Sequence, residues 1–118
     1  MLQHVTIEVR RGDVDACVRF YALLGFERVE PPESLACRAV WVERAGTQVH
    51  LMPVDDPVVP PQGHHAVLVA DYEAALAALR SGGFDPEPRQ EHWGSPRSFV
   101  VNPAGHRVEV MAGSPARR

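Results

Sequence analysis

The chain has no lysine; all twelve of its basic residues are arginine. A Schiff-base lysine and a phosphate-loop lysine are therefore excluded. Cysteine is scarce: Cys17 and Cys37 are too few and too far apart for a zinc motif or a disulfide framework, and both read as small buried apolar groups. No apolar run approaches the roughly 20 residues that span a bilayer, so no membrane partner is expected. The opening "MLQHVTIEVRRGD" lacks the basic-then-apolar pattern of a secretory signal, and the expectation is a cytoplasmic protein. Excess charge is also lacking. The net charge is −3, the pI is near 6.0, and no basic face is evident, which argues against a nucleic-acid partner.

What is present is a core. Hydrophobic residues make up 45% of 118, enough for one domain. That domain is expected over 1–112, with 113–118 as a solvated tail. Within it a phrase is written twice. "AGTQVHLM" stands at 45–52 and "AGHRVEVM" at 104–111, and the sixth letter is His50 in one and Glu109 in the other. The likeness extends outward. "HVTIEV" alternates like a half-buried strand, and "RRGDVDACVRFYALLGF" follows with Asp13 as a helix N-cap, a stripe of Cys17, Phe20, Tyr21 and Leu24, and Gly25 as the stop. "HHAVLVADYEAALAALRSGGF" repeats this plan with Tyr72, Ala75, Leu76 and Leu79, and Phe84 stands where Phe26 stood.

Extended segments follow in each half, at about 27–31, 36–44 and 47–53, then at about 86–91, 97–102 and 106–112. The reading is α+β: two tandem β-α-β-β-β modules, about 1–53 and 63–112, forming a curved mixed sheet around a cleft. The proline-rich linker 53–63 joins them. The spacings agree with a duplication, since His4 and His64 are 60 residues apart and His50 and Glu109 are 59 apart.

Strand side chains alternate between two faces. Val5, Ile7 and Val9 belong under the first helix, as do Val49 and Leu51; Val67, Val69, Val108 and Val110 belong under the second. Parity then puts His4, His50, His64 and Glu109 on the opposite, bare face, each on the first or last strand of its half. Three imidazoles and one carboxylate are a donor set suited to a divalent metal ion. His65, His92 and His106 read as structural: the first by parity, the second in a loop-like stretch, the third after a turn glycine.

At these residues the chain resembles the vicinal oxygen chelate family, which includes glyoxalase I, extradiol dioxygenases, fosfomycin-resistance transferases, methylmalonyl-CoA epimerase and bleomycin-binding proteins. The matching stretches are "HVTIEV", "FYALLGFERV", "HHAVLVAD" and "RSFVVNPAGHRVEVM", and the likeness covers roughly 2–112. It implies metal ligands at His4, His50, His64 and Glu109, a divalent ion (Ni, Co, Zn, Mn or Fe), and open positions for two adjacent oxygens of a small-molecule substrate. It implies a lyase or isomerase of glyoxalase-like type, with Glu109 or His50 moving a carbon-bound proton, and a homodimer, with the site either within one chain or combining slots from two. Glyoxalase I and the epimerases usually carry Glu or Gln where this chain has His50, so one carboxylate is missing. The alternatives are a three-ligand dioxygenase or thiol transferase using His4, His64 and Glu109, and a metal-free antibiotic-binding protein of the bleomycin-resistance type.

Other residues are candidates for lining a substrate pocket. Trp41 and Trp93 offer aromatic walls, Arg97 a guanidinium for a carboxylate or phosphate, and Glu8 a second base. Met52 and Met111, two residues beyond His50 and Glu109, offer an apolar wall. No strong basic cluster for a glutathione-like thiol is apparent.

Overall fold

A computed structural model describes residues 1–115; the last three residues of the expected tail, 116–118, lie outside the described residues. The order is β1 (His4–Val9), α1 (Val14–Leu23), β2 (Glu27–Val29), β3 (Val40–Arg44), β4 (Thr47–Pro53), then β5 (His64–Leu68), α2 (Tyr72–Ser81), β6 (Glu87–Arg89), β7 (Arg97–Val101) and β8 (Arg107–Met111). This is the β-α-β-β-β unit twice. Hydrogen bonding divides the strands into two mixed four-stranded sheets, ordered β1-β4-β3-β2 and β5-β8-β7-β6. In each, the first and last strands pair in parallel and the remainder antiparallel. No described helix is long and apolar enough to cross a membrane.

The two helices end alike. Phe26 N–H bonds to the Tyr21 carbonyl and Phe84 N–H to that of Leu79, both at 3.0 Å, with Gly25 and Gly83 at φ near +90° making the reversal. Their starts differ. Asp71 caps α2 by accepting from Ala74 N–H at 3.0 Å, whereas the Asp13 side chain makes no such bond, because a 3-10 turn over Arg11–Asp13 leads directly into α1. β3 also starts later than its expected range. β2 stops at Val29, just before Pro31 and Pro32, leaving residues 36–39 no partner on that side; a 3-10 turn forms at Glu33–Leu35 instead.

The apolar faces of both modules meet in one core. Ile7, Val9, Val49 and Leu51 of the first sheet and Val67, Val108 and Val110 of the second pack with Phe20, Tyr21, Leu76 and Leu79 from the helices. Phe20 and Phe84 meet edge to face with ring centroids 5.0 Å apart. A buried polar chain crosses the module boundary. Asn102, in the "NPAG" turn, accepts from Ala104 N–H and His106 N–H, which directs its amide nitrogen to the Tyr21 oxygen at 3.2 Å. Tyr21 then has its own proton to give to His65 Nε2, 2.7 Å away, so His65 is neutral with its proton on Nδ1. His106 Nε2 donates to the Glu8 carbonyl at 2.7 Å, a second tie between modules. Both histidines are structural, as parity and turn position suggested.

Burial lowers the His65 pKa to about 4, with nearby His106 and His64 adding to the effect. A histidine whose folded pKa lies below its unfolded value near 6.5 takes up protons on unfolding between those limits. Its contribution to stability is therefore complete above pH 6.5 and lost as pH falls toward 4, on the order of 3 kcal/mol in all. Urea titrations between pH 7.5 and 4.5 are expected to show this fall, and His65→Gln is expected to flatten most of it; an equal slope in the variant contradicts the assignment.

Candidate functional site

On the face of the first sheet away from the core, three rings stack. Trp41 lies directly opposite His50 in the β3–β4 ladder, and their rings are 4.0 Å apart and 3° from parallel. His4, from β1 on the other side of β4, covers the second face of His50 at 4.1 Å and 13°. The His50 nitrogens are sorted by hydrogen bonds. Gln48 Nε2 donates to Glu43 Oε1 at 2.8 Å, which turns Gln48 Oε1 toward His50; His50 Nε2–H donates to it at 2.7 Å. The lone pair is left on Nδ1. Burial, and secondarily His4, lowers the His50 pKa, so the ring is neutral at pH 7. His4 donates through Nδ1 to Gln3 Oε1 at 2.7 Å, leaving its Nε2 with a lone pair.

The second sheet repeats the plan with different chemistry. His64 Nδ1 donates to the Gln62 carbonyl at 3.1 Å, an oxygen that can only accept. In the neutral ring, His64 Nε2 then carries a lone pair, and it faces Glu109 Oε1 at 3.2 Å. Two acceptors at this distance repel unless a proton or another cation joins them. Glu109 is 6% exposed, and its other oxygen accepts from Arg97 at 3.3 Å. Arg97 is fixed in turn by Nε donating to the Gln90 carbonyl at 3.0 Å. Phe99, directly opposite Glu109 in the β7–β8 ladder, meets the His64 ring edge to face at 4.9 Å. It occupies the position that Trp41 occupies in the first module.

The four expected ligands thus come together as two pairs, His4 with His50 and His64 with Glu109. Among the described residues no group of three or more His, Cys, Asp or Glu side chains gathers around one point. Trp41 lies in the site, and Met52 and Met111 are half-buried beyond the ligands. Arg97 is the partner of Glu109, not a free guanidinium. Glu8 Oε1 is engaged by Val58 N–H at 2.8 Å and anchors the linker. Trp93 Nε1 donates to the Gly113 carbonyl at 2.8 Å, with its ring 5.7 Å from the Arg97 guanidinium. A groove of about 520 Å³ runs along the seam between the modules and is lined both by core-side residues, Val5, Val49 and Val67, and by Gln48 and His64 of the candidate site. Sequence reading did not find Gln48, Glu43 or the role of Phe99. The signal for Phe99 was its match to Trp41 in the repeat.

The Glyoxalase/Bleomycin resistance protein/Dioxygenase superfamily model matches residues 2–110, and the chain belongs to this superfamily. Among solved structures it is similar to a protein of Bacillus anthracis described as of the glyoxalase family, with TM-score 0.84, 21% identity, and 94% of this chain and 93% of that one covered. It is also similar to the fosfomycin resistance protein FosX of Mesorhizobium loti (TM-score 0.75, 18%, 97% and 92%) and to lactoylglutathione lyase of Agrobacterium tumefaciens (TM-score 0.71, 19%, 94% and 92%). At these identities the likeness establishes the fold. No curated protein matches the chain.

Replacing Gln48 with Leu removes the acceptor that holds the His50 proton on Nε2. Long-range ¹H–¹⁵N spectra are expected to show His50 as a single Nε2–H tautomer in the native protein and as a tautomer mixture in Gln48→Leu. An unchanged pattern in the variant contradicts the relay.

Proposed function

We propose that the chain is one half of a homodimeric, metal-dependent enzyme of glyoxalase-like type, a lyase or isomerase acting on a small substrate with adjacent oxygens. The observation that carries this reading is the donor set. His4, His50 and His64 each have one ring nitrogen engaged by a neighbouring acceptor and the other left with a lone pair, and the His64 lone pair faces an acid oxygen of Glu109. Ligating histidines held by outer hydrogen bonds in this way are the usual support of a metal site. The donor set fits a divalent ion such as Ni, Co, Zn, Mn or Fe. His4 and His50 of one chain would complete it with His64 and Glu109 of a second. The positions of β1 and β5 as outer strands of their sheets among the described residues, and exposed Leu2 and Leu68, support association.

When bound, such an ion supplies Lewis acidity toward adjacent substrate oxygens and stabilises an enediolate-like charge. The chain's own residues do the rest. Where the ion is held by His4, His64 and Glu109 alone, the unengaged Nδ1 of neutral His50 accepts the carbon-bound proton; where Nδ1 is itself a ligand, that role falls to Glu109. Glu109 is the other group able to move it, although one of its oxygens is engaged by Arg97 at 3.3 Å. Trp41 and Phe99 wall the two sides and limit water. A version with three protein donors, His4, His64 and Glu109, and His50 serving only as base, is favoured by the stacking of His50 between Trp41 and His4, which restrains its ring.

Metal-stripped protein titrated with Co²⁺ or Ni²⁺ is expected to take up about one ion per chain while sedimenting as a dimer. Glu109→Gln and His64→Ala are expected to weaken uptake by at least about a hundredfold, more than loss of an outer-shell partner costs. Protein that binds no divalent ion yet binds a small molecule with His64 replaced would instead be a metal-free binding module.

A further inference from the structure

Three arginines that sequence reading left unconnected surround one ring. The guanidinium carbons of Arg107, Arg97 and Arg89 lie 4.5, 5.4 and 5.5 Å from the centroid of Phe99. They come from β8, β7 and β6, so the sheet, and no run of sequence, assembles them. Arg89 and Arg97 stand directly opposite each other in the β6–β7 ladder, where like charges repel. Only part of this charge is answered. Arg97 is held by Glu109 and the Gln90 carbonyl. Arg89 has Glu87 at 3.4 Å, an exposed pair of little strength. Arg107 is half-buried and has no ion-pair partner among the described residues. Cation–π attraction to Phe99 holds the heads in place without cancelling their charge. The same ring touches His64, so the unanswered charge borders the His64–Glu109 pair.

We propose that Arg107, with Arg89, forms an oxyanion subsite against Phe99 that receives a carboxylate or phosphate group of the substrate. Its link to a substrate rests on the His64–Glu109 face being the working face; anion binding itself does not. Arg107 offers a planar fork of donors to the anion's oxygens, and Arg89 closes from the neighbouring side. The substrate class then becomes a small molecule with adjacent oxygens and an anionic group one side chain away from them.

Metal-free, full-length protein, desalted of chelator, is to be titrated with inorganic phosphate and separately with acetate, following the arginine Nε signals by NMR. Saturable shifts of Arg107 and Arg89, with Arg19 on α1 unmoved, are expected. Saturation by phosphate alone assigns a phosphate-type group, and saturation by acetate alone a carboxylate. Arg107→Met, which keeps the stem on Phe99, is expected to weaken binding at least about tenfold at unchanged Tm; Arg89→Met, farther from the boundary with His64, should weaken it less and serves if the first variant misfolds. Shifts that stay linear, or equal affinity in these variants, overturn the subsite. Co²⁺ uptake without anion binding removes the subsite and leaves the metal reading intact. Anion binding without Co²⁺ uptake does the reverse.

Discussion

The apolar faces of both sheets are turned into one core, and that single fact arranges everything else. A β-α-β-β-β unit has one face under its helix and one bare. Here Phe20 meets Phe84 across the boundary, and the Asn102–Tyr21–His65 chain locks the modules together from within. Losing Tyr21 from that chain would leave buried polar partners unpaired, at a cost of about 1–3 kcal/mol. The docking is therefore specific as well as apolar. Its consequence is that the faces carrying His4 with His50 and His64 with Glu109 turn away from the shared core, and each keeps one pair.

Each half is prepared in the same way. One aromatic ring stands opposite the β4 or β8 slot, Trp41 against His50 and Phe99 against Glu109. Neighbouring acceptors fix which nitrogen of each histidine is free. The halves differ in charge. The first carries His4 stacked on the neutral His50 imidazole, whereas the second has a carboxylate held between His64 and Arg97 and bordered by Arg89 and Arg107. Under the proposed function, a substrate bridging two such surfaces would meet the neutral His50 ring on one side and the arginines around Phe99 on the other.

Much of this was legible in the sequence because it depends on period and parity. The alternation of Val5, Ile7 and Val9 set the face of His4, and the repeat of "AGTQVHLM" as "AGHRVEVM" matched His50 to Glu109. Helix stops at Gly25 and Gly83 follow from local backbone demands. The missed features are those that local pattern cannot express. The docking of the modules depends on Tyr21 finding His65 and His106 finding the Glu8 carbonyl, contacts 44 and 98 residues apart. The arginine group arises only when β6, β7 and β8 lie side by side, which is why the chain seemed to lack a basic cluster. For Arg97 and Glu8, candidates for the pocket wall, the sequence does not show the partners, Glu109 and Val58, because these are tertiary neighbours.

The central claim is that two chains complete what one chain divides. It is tested most directly by mixing two variants, one carrying His4→Ala and His50→Ala and the other His64→Ala and Glu109→Gln, after partial unfolding and refolding together. Neither variant alone is expected to take up Co²⁺ tightly, and the mixture is expected to recover one tight site per mixed dimer. A mixture as inert as its components, while the native protein binds one ion per chain, would contradict it.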